Sequence, residues 1–255
     1  MTYGDPRNPP LLFLHGIRLG GRIWEPHAQM LRDEFFVVTP DLPGHGALAD
    51  LPFDIPVNDA FLAYIAERVL PRPPLIIGYS LGGYVAMRYA VDLPDESAGL
   101  LLTGCTTDLV HERALLYELG VACAAQLPAA AIDRILKVFF RMTLPPDVAR
   151  IVVPFRFDHR TFELSRRTAL GTRYSEALRA YRKPVAIVNG EWDALFRIDE
   201  SRFARATNAR VQILRNSDHV APLRRPAAFT ASVRAFARRV FDPSASGPMS
   251  YAGPR

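Results

Sequence analysis

The chain has 255 residues, 49% of them hydrophobic and 22% charged, with a formal charge of +5. These proportions exclude a disordered or fibrous chain, and the length suits one full-sized domain with room for an insertion. All basic residues except Lys137 and Lys183 are arginine, scattered rather than gathered into a stripe interleaved with aromatics, so no nucleic-acid partner is expected.

Two cysteines, Cys105 and Cys123, cannot make a disulfide framework and lack C-x-x-C spacing. Both read as small buried hydrophobes. The first residues show no charged segment followed by an apolar run, and no apolar stretch is long enough to span a bilayer. The expectation is a cytoplasmic protein with no membrane partner.

In chain order, Leu11–Leu14 reads as a buried strand, and helical spacing follows around 22–32. Phe35–Val38 is the next strand, with helical spacing at 57–69; Leu75–Ile77 then precedes a helical run over 81–92, and Gly99–Leu102 is again a strand. After a long interruption come the strand Val185–Val188, helical spacing at 197–206, the strand Val211–Leu214 and a helical pattern at 226–240. Near-continuous apolarity in the strands, rather than alternation, is what a sheet covered by helices on both faces requires. The repetition predicts an α/β fold with a mostly parallel sheet.

The interruption, 108–182, has no strand signal and is broken by Pro128, Pro145-Pro146 and Pro154. It reads as an all-helical cap over one end of a core formed by 1–107 and 183–242. Leu115, Leu116, Leu119, Ile132, Leu136, Phe139 and Phe140 recur at helical spacing, so these helices are expected to press apolar faces onto the sheet's C-terminal end as a mobile lid. The tail, 243–255, is polar and turn-rich and is expected to be disordered.

The motif with most chemical content is Gly78-Tyr79-Ser80-Leu81-Gly82-Gly83, a G-x-S-x-G between a strand and a helix. A serine on such a turn stands clear of the sheet, and the Leu81 N–H at the helix start can stabilise negative charge. A hydroxyl is a weak nucleophile and needs a base with something to orient it. Asp193, in Asn189-Gly190-Glu191-Trp192-Asp193, and His219, in Asn216-Ser217-Asp218-His219, each follow a strand, where open α/β sheets gather their sites. The order Ser80, Asp193, His219 is that of a serine–acid–histidine triad. Asp218 and Asp108 are alternative acids.

Over nearly all of 3–241 the chain resembles the α/β-hydrolase fold superfamily, in its serine-hydrolase branch with a helical cap. His15-Gly16 after the first strand and Asp41-Leu42-Pro43-Gly44-His45-Gly46 after the second carry the resemblance further. It implies that Ile17, after His-Gly, supplies the second oxyanion-hole N–H. It also implies a small-molecule substrate, namely a carboxylic ester, lactone or thioester with an apolar portion, cleaved through an acyl-enzyme on Ser80 with no cofactor or metal. Related lidded enzymes use the same triad chiefly as a base for C–C cleavage or elimination. The motifs also resemble those of a menaquinone-pathway lyase family, which commonly has arginine where Tyr84 stands here. A slow-turnover ligand receptor is a further reading.

Relatives often have glycine before the base histidine, where this chain has Asp218. They also carry a two-strand hairpin before the His-Gly strand. With so few residues before Leu11, at least the first of these strands is expected to be missing, and Thr2-Tyr3 to fold back on the edge of Phe35–Thr39. The rest of that edge is left to a loop or a homodimer, so the chain is a monomer or homodimer. His15 and His45 are expected to hold turns by hydrogen bonds. His27, His111 and His159 are expected in solvated or capping roles, Arg18 and Glu191 in solvent, and Trp24 and Trp192 buried or lining a pocket.

Overall fold

The computed structural model describes residues 1–155, 169–242 and 244. The expectations for His159, for the side chains of Leu116 and Cys123, and for the tail apart from Ser244 fall outside the described residues.

Every strand expected from the sequence is present. The strands are β1 (Thr2–Tyr3), β2 (Pro10–Leu14), β3 (Phe36–Val38), β4 (Leu75–Tyr79), β5 (Gly99–Thr103), β6 (Val185–Gly190) and β7 (Arg210–Leu214). They form one seven-stranded sheet in the order β1-β3-β2-β4-β5-β6-β7. All neighbours are parallel except β1, which runs antiparallel to β3. The helices of the layers are α1 (Glu25–Leu31), α2 (Ile55–Arg68) and α3 (Leu81–Asp92). Between β5 and β6 lie α4 (His111–Ala125), α5 (Ala129–Thr143), α6 (Pro146–Val152) and α7 (Tyr174–Ala177). The remainder among the described residues are α8 (Glu200–Thr207), α9 (Ala221–Arg224) and α10 (Pro226–Phe241). Among the described residues no helix is long and apolar enough to cross a membrane.

Successive strand residues face opposite ways, and this splits the core in two. Leu12, Leu14, Ile76, Leu100 and Ile187 pack with α2, α3 and Phe203 of α8. Leu11, Phe13, Ile77, Leu101 and Val188 pack with α1, α10 and the inner residues of α5 and α6. The strand Val211–Leu214 departs from the expectation of a buried strand: β7 is the sheet edge, and Val211 is 40% exposed.

The insertion is also turned differently from the reading of its spacing. Leu115, Leu119 and Phe139 are exposed, whereas Phe140 is buried and Leu136 packs against the core. Helix α5 has two apolar phases. The phase carrying Leu136 and Phe140 faces inward with Asp133 and Lys137, which pair at 2.6 Å. The other phase, Ile135, Val138, Phe139 and Met142, faces solvent.

The β3 edge is covered by the chain's own start. Thr2 pairs with Val38 and Tyr3 with Val37. The Thr39 N–H donates to Met1 O at 2.9 Å, and the Met1 amino group donates to Thr39 O at 3.2 Å, so the cover runs past the end of β3. Deleting residues 1–4 should therefore uncover a row of apolar strand groups. The expected outcome is a melting temperature lower by about 2–4 °C per kcal/mol lost, with association that grows with concentration in light scattering.

Candidate active site

Strand β4 ends and α3 begins on either side of Ser80, which takes φ 52° and ψ −118°. An L-residue holds such a conformation only where its surroundings over-determine it, at a cost of about 1–3 kcal/mol. The Ser80 N–H donates to Thr103 O of β5 at 2.9 Å, and the Gly82 N–H donates to His15 O at 3.1 Å. Close approach does the rest: a Cβ on Gly78 would lie 2.6 Å from Gly83 Cα, and one on Gly82 would overlap Leu14 O. The motif's glycines are thus required by sterics.

Two other strand ends bring partners to the serine. His219 Nε2 is 3.0 Å from Ser80 Oγ, and His219 Nδ1 is 2.9 Å from Asp193 Oδ2. With the carboxylate accepting from Nδ1–H, Nε2 is left to accept a proton from the hydroxyl, which is the arrangement general-base activation of a serine needs. Asp193 is buried at 4% exposure. Its loop is laced to the chain after β5, with the Thr106 hydroxyl donating to Phe196 O at 2.8 Å and the Thr107 hydroxyl to Leu195 O at 2.6 Å.

The other two acids are engaged elsewhere. Asp108 accepts from the Ser175 N–H at 3.0 Å and hydroxyl at 2.5 Å, fastening the exit of β5 to α7. Asp218 is held by Arg224 through Nε at 3.2 Å and Nη2 at 2.6 Å.

The segment after β2 lies against the serine: a Cβ on Gly16 would sit 3.4 Å from Ser80 Cβ. His15 holds that segment, its Nε2 accepting the Leu42 N–H at 2.9 Å and its Nδ1–H donating to Gly16 O at 2.8 Å. Asp41 fixes the far side, accepting the Gly21 and Ala47 N–H groups at 2.7 Å each. Among the described residues, the N–H groups of Ile17 and Leu81 have no hydrogen-bond acceptor. Both residues line a cavity of about 20 Å³ at Ser80, together with Tyr84, Leu109, Tyr117 and Phe196. That is room for roughly one water molecule. A larger cleft of about 580 Å³, between Pro40, Leu48, Phe61 and Phe155, is lined by none of the three groups. Among the described residues no group of three His, Cys, Asp or Glu side chains is placed to hold a metal ion.

A model of the alpha/beta hydrolase family matches residues 11–232. The chain belongs to that family. A pimeloyl-[acyl-carrier protein] methyl ester esterase of Chromobacterium violaceum is 30% identical over 142 residues, and the match spans 54% of each chain, so about half of that relative's length is covered. The enzyme of the same name from Aromatoleum aromaticum is 29% identical over 232 residues, covering 77% of this chain and 88% of the other. A thermophilic esterase structure from Thermogutta terrifontis superposes with a TM-score of 0.77 at 22% identity, covering 94% of this chain and 92% of that one, which shows the shared fold.

Several side chains of this family member lie where the sequence reading did not put them, and others lie where it did. Arg18 was expected in solvent, but its side chain is 9% exposed because it reaches under α5. His27 is buried among Phe13, Trp24 and Phe229 and bonds the Thr230 hydroxyl at 2.8 Å. Trp24 is fully buried, which was one of the two expectations for it, whereas Trp192, at 61% exposure, is neither buried nor part of the cavity lining. His111 is exposed, as expected, and lies 3.0 Å from an Arg173 nitrogen. His45 and Glu191 behave as expected: His45 Nδ1 holds its turn at 3.0 Å from Pro43 O, and exposed Glu191 accepts the Asn216 N–H at 2.9 Å.

Two residues given no role by the sequence reading complete the surroundings. Phe196 stacks on the His219 ring at 4.4 Å. Asn189 accepts the Gly104 N–H at 2.8 Å and donates to Thr106 and Glu200. The only signal for either was proximity in sequence to Asp193.

Two outcomes follow from this packing. Gly104 has φ 64°, and a Cβ there would lie 2.9 Å from His219 Cε1. Gly104→Ala should displace the ring and lower kcat by about tenfold or more, with the circular dichroism of the fold retained. Burial holds His15 and His27 down to about 3, far below the ordinary imidazole range. Unfolding lets them take up protons near pH 6.5, so the stability present above that pH is lost as pH falls toward 3, about 2 kcal/mol per histidine by pH 5. Urea denaturation at pH 7.5 and 5.0 should show this loss, and His27→Asn should remove one histidine's share of the difference.

Proposed function

We propose that this hydrolase is a serine esterase acting on a carboxylic ester, lactone or thioester with an apolar portion. The observation that carries the reading is the continuous chain from Ser80 Oγ through His219 to Asp193, at 3.0 and 2.9 Å. In this reading His219 takes the Ser80 proton as the oxygen attacks the carbonyl. Asp193 holds the imidazole tautomer and stabilises its cation. The N–H groups of Ile17 and Leu81 receive the tetrahedral oxyanion, and water then releases the acyl group from Ser80. The methyl ester named in the relatives fits this chemistry, and the apolar lining of Leu81, Leu109 and Phe196 supports an apolar acyl portion. In this reading the segment 108–182 acts as a cap, contributing Leu109, Tyr117 and Ala169 to the cavity of about 20 Å³ at Ser80, which must widen for a substrate to enter. The lyase alternative gains nothing from Tyr84, whose buried hydroxyl donates to Thr107 O at 2.8 Å.

With p-nitrophenyl acetate, wild-type protein should give a burst of product followed by steady turnover. Ser80→Ala and His219→Ala should each lower kcat by about 10⁴-fold or more, with the double variant no worse than either single one. Asp193→Asn should cost about 10²–10⁴-fold. A burst of full size in Ser80→Ala would sink the acyl-enzyme, and a harmless Asp193→Asn beside a crippling Asp108→Asn would overturn the choice of acid.

A further inference from the structure

Arg18 follows the oxyanion residue Ile17 in a turn closed by the Leu19 N–H on Gly16 O at 3.3 Å, and its φ is 60°. That slot favours glycine or asparagine. Arginine occupies it with its side chain drawn under the insertion. Its Nη2 lies 3.5 Å from Asp133 of α5 and donates to Phe155 O at 3.3 Å, with the guanidinium 5.6 Å from the centre of the Phe140 ring.

A second arginine grips the other end of the same helix. Arg224 holds Asp218, the residue before His219, in a two-point pair, and donates through Nη1 to Thr143 O, the last residue of α5, at 2.6 Å. Its guanidinium lies 6.0 Å from the centre of the Phe139 ring. Asp133 and Thr143 are separated by about 15 Å along a helix rising about 1.5 Å per residue. The two loops they contact leave β2 and β7, which stand four steps apart in the sheet, or about 19 Å at the usual spacing. Among the described residues no single strand pairing joins those loops, whereas α5 meets the first through Asp133 and Arg18 and reaches the second through Arg224 of α9, which holds Asp218.

We propose that α5 is a brace that sets the oxyanion turn and the base loop in register, with Arg18 and Arg224 as its positioning residues. The proposal rests on the serine-esterase reading, because it is the Ile17 N–H and the His219 ring that must meet one carbonyl. Such groups need to be held to within about half an ångström. Docking of α5 then completes the site, and lifting it releases both loops together.

The test is steady-state kinetics on p-nitrophenyl acetate, a substrate too small to report on cap contacts, with melting curves for every variant. Arg18→Met and Arg18→Gly are each expected to lower kcat by about tenfold or more with KM within about twofold, and Arg18→Lys to recover part of the loss. Glycine relieves the turn, so a wild-type kcat in Arg18→Gly would mean that the side chain only offsets backbone strain, and the brace would fall. A raised KM with the acylation rate of the burst unchanged would also overturn it, by making Arg18 a substrate contact. Arg224→Met should behave like Arg18→Met, and the double variant should lose less than the product of the two. Asp133→Asn leaves both arginines in place and carries the test if an arginine variant does not fold; a wild-type kcat there sinks the brace. Full activity in Ser80→Ala would take down the serine reading and the brace together. Inactive Ser80→Ala beside fully active Arg18→Gly and Arg224→Met would remove the brace alone.

Discussion

Ser80 stands at φ 52° with its N–H tied to Thr103 and the following glycine tied to His15, and most of the site geometry descends from that strained backbone. The turn can exist only because β4 is flanked by β2 on one side and β5 on the other, both running the same way. Their ends supply the carbonyls that clamp it. The same ends put Gly16 against the serine on one side and Gly104 against His219 on the other. A parallel sheet thus creates one crowded rim at which backbone groups from several strands converge.

The two histidines of this rim differ in burial and in partners. His15, enclosed and used at both ring nitrogens, is kept neutral and serves as a fixed strut between Gly16 and Leu42. His219 is only partly enclosed, leans on Phe196, and has one nitrogen given to Asp193 and the other turned to Ser80. Residue type is the same in both cases. What separates the two is enclosure and partners: His15 has backbone groups at both nitrogens, and His219 has a carboxylate at one and a hydroxyl at the other.

The insertion obeys a different balance. Its contacts with the core combine apolar packing, as in Phe140, Leu144, Val148 and Val152, with ion pairs in both directions, Arg18 of the core to Asp133 and Arg113 of the insertion to Asp199 of the core. Asp108, fully buried, accepts from Ser175 rather than approaching the base. Polar ties of this kind lose less than apolar faces do when a surface separates and water enters.

The sequence by itself determined the layered α/β fold, the succession of strands and helices along the chain and the three side chains that meet at the rim. Apolar runs too continuous for a one-sided sheet, and glycines where only glycine fits, are local signatures that tertiary contacts do not reverse. It also placed Thr2-Tyr3 on the edge of β3, because an apolar edge with no partner is costly. Tertiary structure alone decided which of the two apolar phases of α5 turned inward, since helical spacing marks a face without saying what the face meets. It likewise decided that Arg18 and His27 are buried. Arginine and histidine are read as surface residues until a carboxylate, carbonyl or hydroxyl from a distant part of the chain meets them, and Asp133 lies 115 residues from Arg18 and Thr230 lies 203 from His27. Partners at that distance leave no periodic trace in the sequence, and only the folded chain brings them within hydrogen-bonding reach.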